Sequence, residues 1–276
     1  MLTLNLEKFS DLQKRIMSSF VMVAFLGLIF WGGIWPLKIL TLFLVGALSF
    51  EWAKICKFSL KVSPFLTMML ICAAVYATSV SRSTLGVGVL LCLASLGVFL
   101  SWLSWYRRFL WFTLGLLCIG LPCLSIFWML DHLQDGILIL AWVIAIAALN
   151  DVTAYFIGTW LRGPKLMEAI SPSKTWSGFF GGLICSSLAG GLFYFFIQSN
   201  ISLQQFMGLC AIIAFFSTVG DLCESKIKRF HKIKDSGAII PGHGGLFDRL
   251  DGFLFVMPFV TLAIFLWPQI MLFSWK

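Results

Sequence analysis

Long apolar runs separated by short polar connections dominate this chain. One run extends from about 16 to 35 and a second from about 39 to 52. Others cover roughly 64–80, 85–104, 109–130, 136–157, 178–197, 204–222 and 253–273. Runs approaching 20 residues match helices that cross a bilayer. Membrane barrels would instead alternate in strands of about 10 residues. The pattern predicts an all-α, polytopic membrane protein with about nine transmembrane helices. The polar residues 1–15 read as a short interfacial helix, and the first run is too long for a signal-peptide core, so it reads as a retained span. Pro36 and Lys38 read as a tight turn between the first two spans.

The charges fix an orientation. Lys8, Lys14 and Arg15 precede the first span. Lys54, Lys57 and Lys61 follow the second, Arg107 and Arg108 the fourth, and Arg162, Lys165 and Lys174 the sixth. Six more basic residues follow the eighth, while Lys38, Arg82 and Lys276 alone fall on the other side. Basic connections face the cytoplasm, so the N-terminus is expected inside and the C-terminus outside. The longer loops rich in Gly, Pro, Ser and Lys share the cytoplasmic face, where function is expected.

Composition agrees with this picture. Of 276 residues, 60% are apolar and 12% charged, with a mean hydropathy of +0.96. A soluble domain carries about 25% charged residues. With no long polar linker, residues 1–276 read as one integral domain, 1–130 supplying N-terminal helices and 136–273 the site-bearing helices and loops. The net charge of +8 follows from topology, so no nucleic-acid partner is expected. Six of the eight cysteines lie inside apolar runs and no CxxC pair exists, which fits small buried hydrophobes. No fixed-period repeat is visible, which disfavours repeat-built transporters.

Chemistry concentrates in three places. The densest is Gly220–Gly252, which holds Asp221, Glu224, Asp235, Asp248 and Asp251 among basic residues. Asp221 and Glu224 share a helix face, and Asp248 and Asp251 would do so in a helix. Carboxylates that crowd one point are tolerable around a hard cation, and oxygen ligands suit Mg²⁺ with phosphate. Lys226, Arg229 and Arg249 suit phosphate or lipid headgroups. His243 and Gly244, in an irregular Pro-Gly-His-Gly-Gly loop, suit phosphate contact or loop architecture. The second place is Asn150-Asp151, where an acid at the edge of a membrane helix needs a partner or an aqueous cavity. The third is Ser171-Pro-Ser-Lys-Thr-Trp-Ser-Gly178. Ser173 or Thr175 can cap the next helix, and Lys174 adds charge to a helix end that attracts phosphate. A Walker loop, GxxxxGK[ST], is absent.

The run Ser225-Lys-Ile-Lys-Arg229, then Lys234-Asp235, then Pro241-Gly-His-Gly-Gly-Leu-Phe-Asp-Arg-Leu-Asp251 resembles the signature of the phosphatidate cytidylyltransferases. Asn150-Asp151 with Ala154-Tyr155-Phe156 and Gly158, and Ser171-Pro172 with Lys174-Thr175, resemble that family's two upstream motifs. The likeness spans roughly residues 145–255.

The resemblance implies a bacterial-type inner-membrane enzyme that moves CMP from CTP onto phosphatidate, releasing pyrophosphate. It implies Mg²⁺, and K⁺ beside it. Asp221 and Asp248 would be metal ligands, Asp251 and Asp151 further acids of the site, and Ser171, Lys174 and Arg249 phosphate contacts. Ser177 departs from the family's pattern, which often has Glu there. Another CTP-dependent enzyme acting on a different lipid phosphate or prenol, or an ion-binding transporter, would share parts of this pattern. Small-residue contacts such as Gly178 with Gly182 allow helix packing within or between chains, so a homodimer is among the expectations.

Overall fold

A computed structural model describes residues 24–57, 107–199, 201–237, 244–267 and 273–275. Its helices are α1 (Ile34–Ile55), α2 (Arg107–His132), α3 (Gly136–Leu161), α4 (Trp176–Tyr194), α5 (Leu203–Phe230) and α6 (Phe247–Leu266). Short strands β1 (Lys165–Met167) and β2 (Ser171–Thr175) lie between α3 and α4, β3 (Ile197–Ser199) follows α4, and β4 (Phe273–Trp275) follows α6. Among the described residues, six helices are long and apolar enough to cross a membrane. The expected spans at 64–80 and 85–104 lie outside the described residues, and the expected first span is described only from residue 24.

Three boundaries differ from the sequence expectation. The turn before α1 is at Gly32–Gly33, not at Pro36. Gly33 takes a φ of 86°, which side-chain-bearing residues rarely adopt. Pro36 then lies in the first helical turn, where its missing N–H has no intrahelical partner to lose. Second, α5 runs eight residues beyond the expected end, so Asp221, Glu224 and Lys228 are helical. Its start is fixed by a capping box in which Ser202 Oγ accepts from Gln205 N and the Gln205 side chain returns to Ser202 N. Third, α6 begins at Phe247 rather than at 253, which places Asp248 and Asp251 in its first turns.

The all-α expectation holds for the spans, but two antiparallel strand pairs accompany them. β1 pairs with β2, placing Lys165 opposite Thr175, and β3 pairs with β4. The first pair is a hairpin that carries Lys174.

Two apolar clusters fill the described interior. In one, Val45, Leu48 and Trp52 of α1 meet Leu116 and Ile119 of α2 and Phe247 and Leu254 of α6. In the other, Met129, Val143, Phe206 and Met257 join α2, α3, α5 and α6. At the far end from the hairpin, Lys38 pairs with Asp131 and ties α1 to α2.

Helix α4 lies unusually close to α3. A Cβ at Gly178 would come within 2.5 Å of Ala154 O, and one at Gly182 within 2.4 Å of Asn150 Oδ1. Such small residues let helix backbones approach where lipid supplies no hydrophobic drive. The Gly178–Gly182 stripe is therefore used inside this chain.

Candidate active site

The hairpin β1–β2 folds back because Pro164 O accepts from Trp176 N and Arg229 Nε donates to Ile170 O at 3.3 Å. Thr175 is the N-cap of α4, its Oγ1 accepting from Gly178 N at 3.1 Å. Lys174 is thereby held one residue before the cap. Its Nζ reaches across to α5 and pairs with Asp221 Oδ2 at 2.6 Å.

Around this pair lies an open pocket of about 230 Å³, walled by α3, α4, α5 and β2. Asp151 opens onto the pocket from α3, and Ser173 and Lys174 from β2. Asn150 is buried beneath Asp151. Its Nδ2 donates to Thr218 Oγ1 at 3.2 Å and lies 3.4 Å from Asp151 Oδ1. The three places singled out in the sequence thus converge, through Asp151, Lys174 and Asp221.

Asp221 also looks away from the pocket. Its Oδ1 is buried with no hydrogen-bond donor and points at α6, where a Cβ on Gly252 would come within 2.9 Å. The Asp251 carboxylate is its charged neighbour there, with Glu224 also close. Two carboxylates at that range repel unless a proton or a cation lies between them. An all-oxygen pair with an orphaned buried atom fits Mg²⁺ chemistry, given further oxygens from water and phosphate.

Asp248 is placed differently. Lys228 Nζ bridges Asp248 Oδ1 at 2.8 Å and Glu224 Oε2 at 2.7 Å. Ser236 N donates to both Asp248 oxygens, and Gly245 N donates to Oδ2 at 3.0 Å. Asp248 thus holds the segment before α6 in this arrangement. Among the described residues, no group of three His, Cys, Asp or Glu side chains is arranged to hold a metal.

The remaining expected residues divide. Gly244 turns the chain with a φ of 83°, its Cβ position 3.1 Å from Asp248 Oδ2. Ser171 is buried in the hairpin and does not line the pocket, whereas Ser173 does. Arg229 secures the hairpin rather than opening onto the pocket. Lys226 and Arg249 are exposed. His243 lies outside the described residues. Ser177 Oγ accepts from Gly163 N at 3.2 Å and is 3.1 Å from Thr175 Oγ1, so it ties the α3–β1 link to the start of α4.

Glu51, in α1, was not anticipated. Its side chain is 1% exposed and binds the segment leading into α6. The signal available in the sequence was an acid inside an apolar span, which requires partners. His231 ends α5, edge-on to Trp111 with centroids 4.5 Å apart and its Nε2 3.9 Å from Cys56 Sγ. Burial, and secondarily Lys57, lower its pKa below the ordinary value. Burial pushes the Cys56 thiol up to about 12.

Six apolar helices long enough to cross a membrane thus carry a polar pocket with a paired lysine and carboxylate at their charged end. The chain belongs to the cytidylyltransferase family, whose model matches residues 13–267. It is similar to the phosphatidate cytidylyltransferase of Staphylococcus haemolyticus (strain JCSC1435), 39% identical over 131 residues. It is likewise similar to those of Staphylococcus aureus (strain COL), at 38%, and Staphylococcus saprophyticus, at 39%. Each match covers 48% of this chain and 50% of the relative, so the chain spans about half the length of the curated relatives it matches.

Proposed function

We propose that this protein is a phosphatidate cytidylyltransferase of a bacterial-type inner membrane, with its site facing the cytoplasm. The observation that carries the reading is the Lys174–Asp221 pair on the wall of a pocket shared with Asp151, with Asp251 behind it. Family membership and the names of the relatives support the reaction class. The distribution of basic residues supports the cytoplasmic side.

In this reading a phosphate oxygen of phosphatidate attacks the α-phosphorus of CTP. A P–O bond to the lipid phosphate forms, the α–β bond breaks, and pyrophosphate leaves with the bonding electrons. The attacking oxygen is already anionic, so no base need take its proton. Lys174 binds phosphate oxygens and offsets the repulsion between two anionic substrates. Asp151 and Asn150 shape the polar wall from α3.

Asp221 and Asp251 would hold Mg²⁺, and K⁺ is expected beside it. Bound there, the cation would neutralise charge on the transferring phosphoryl group and align attacker with leaving group. Asp248 organises the start of α6 and keeps Asp251 in place. On the opposite face of α5, an apolar groove lined by Leu121, Pro122, Phe255 and Phe259 reaches Asp251. It offers acyl chains a path beside the carboxylates.

The test is label transfer from α-labelled CTP in liposomes, with Mg²⁺ and either phosphatidate or an isoprenoid phosphate. Labelled CDP-diacylglycerol supports the proposal. Transfer to the isoprenoid acceptor alone would reassign the lipid. Ion flux without any transfer would remove the enzyme reading.

A further inference from the structure

We infer that Glu51, in the N-terminal part of the chain, is the positioning residue for the carboxylates on α6. This rests on the reading of Asp221 and Asp251 as cation ligands.

Helix α6 has no cap of its own: Leu246 occupies the N-cap position and makes no side-chain cap bond. Glu51 supplies one from another helix. Its Oε1 accepts from Leu246 N at 2.9 Å and its Oε2 from Phe247 N at 2.7 Å. These are first-turn N–H groups that would otherwise be orphaned, and they carry the positive end of the helix dipole. Oε2 also accepts from Ser236 Oγ at 3.1 Å.

The same short segment is gripped by Asp248. Ser236 gives its hydroxyl to Glu51 and its backbone N–H to Asp248. Gly245 N goes to Asp248, and the next two N–H groups go to Glu51. The fit is close: a Cβ on Gly237 would come within 2.6 Å of Glu51 Oε1, and one on Gly245 within 2.9 Å. Glu51 therefore sets the height and rotation of the first turn of α6. Asp248 belongs to that turn and Asp251 to the next, where it must meet Asp221 on α5.

Glu51 does not open onto the pocket. It acts through the helix it caps, as outer-shell partners do when they orient metal-bound carboxylates. Removing such partners typically costs about 10–100-fold in metal affinity.

The test uses the full chain in detergent micelles. Mn²⁺ binding is followed by electron paramagnetic resonance without substrates, alongside CMP-transfer kinetics and melting. Asp221→Asn should abolish the Mn²⁺ signal that the wild type gives. Glu51→Gln keeps the shape but turns an NH₂ against an N–H donor. It should weaken Mn²⁺ binding roughly tenfold or more and lower kcat, with little change in the KM for CTP. Ser236→Ala should shift Mn²⁺ binding in the same direction by less, and it decides the matter if Glu51→Gln does not fold.

A Glu51→Gln protein that melts lower yet binds Mn²⁺ like the wild type would overturn the inference. So would an unshifted Ser236→Ala where Glu51→Gln does not fold. A wild type that binds Mn²⁺ but transfers no CMP would sink the proposed function alone, and the Mn²⁺ shift would still judge Glu51. Mn²⁺ binding that ignores Asp221→Asn, or none at all, would overturn both the cation reading and this inference.

Discussion

Lys174 Nζ and Asp221 Oδ2, 2.6 Å apart, join the strand that precedes α4 to the charged end of α5. Neither side chain is more than a quarter exposed. A partly buried pair of this kind is difficult to break from one side, because the partner left behind keeps its charge with reduced solvation. The pair also leaves Asp221 Oδ1 pointing at α6 without a donor. One carboxylate thus faces a pocket lysine and an acid on the neighbouring helix.

Substitution of Asp221 should therefore be the most damaging change to activity. Asp221→Asn is expected to reduce CMP transfer by about 3 kcal/mol of barrier or more, roughly 100-fold or beyond. Initial-rate assays of folded, size-excluded protein give the check. A rate within threefold of the wild type would take Asp221 out of the site.

Asp248 and Asp251 should separate in a stability measurement. Asp248→Asn weakens the bridge to Lys228 and a carboxylate that three N–H···O contacts stabilise. A loss of about 3 kcal/mol is expected, since half of a buried pair is left behind. Asp251→Asn relieves crowding with Asp221 and Glu224, so it should leave the melting temperature unchanged or raise it while still lowering activity. Equal destabilisation by both would contradict these assignments.

The α3–α4 approach predicts intolerance of a single methyl group. Gly182→Ala puts Cβ 2.4 Å from Asn150 Oδ1, which forces the helices apart or displaces Asn150. The expected cost is about 1–3 kcal/mol, typical of overpacking. Gly208→Ala, at a position with nothing within 4 Å of the added atom, is the matching control in thermal unfolding and should be neutral or stabilising.

Ser177 serves as a tie between the α3–β1 link and the start of α4. Ser177→Ala should lower stability by about 0.5–1.5 kcal/mol, the net worth of a hydrogen bond. Transfer activity should stay within about twofold. A large fall in kcat with unchanged stability would instead give Ser177 a role in the reaction.

His231 predicts a pH effect on stability. Its folded pKa lies below the ordinary 6.5, so below that pH the unfolded chain binds the proton more readily than the native one. Stability should be fully present above about pH 6.5 and fall on acidification until the folded pKa is passed. Melting temperatures at pH 7.5 and 5.5 should differ, and His231→Gln should narrow the difference. No narrowing would locate the acid sensitivity elsewhere.

Much of the site was legible because its residues are unusual for their surroundings. Asp151, Lys174 and Asp221 are charges at the edges of apolar runs, and edges are where a membrane helix can meet water. Thr175 was legible as a cap because side-chain oxygens recur where a helix starts. Hydrophobic runs located the spans but not their ends: α5 continues past its apolar stretch because Glu224 and Lys228, four apart, pair along the helix. The division between Asp251 and Asp248 was hidden, since residues three apart on one helix face looked equivalent. What separates them is Lys228 and the backbone N–H groups of Ser236 and Gly245, and no local pattern reveals a partner brought in by tertiary packing. Glu51 was hidden for the same reason, its ligands lying nearly two hundred positions away in the chain.

The central claim is that the Asp221–Lys174 pocket transfers CMP from CTP to a lipid phosphate. Its most direct measurement is pyrophosphate release by the purified protein in liposomes, with CTP and Mg²⁺, before and after phosphatidate is added. The account predicts release that depends on phosphatidate, disappears on chelation of Mg²⁺ and is lost in Asp221→Asn. Absence of release from the folded wild type, or equal release without phosphatidate, would contradict it.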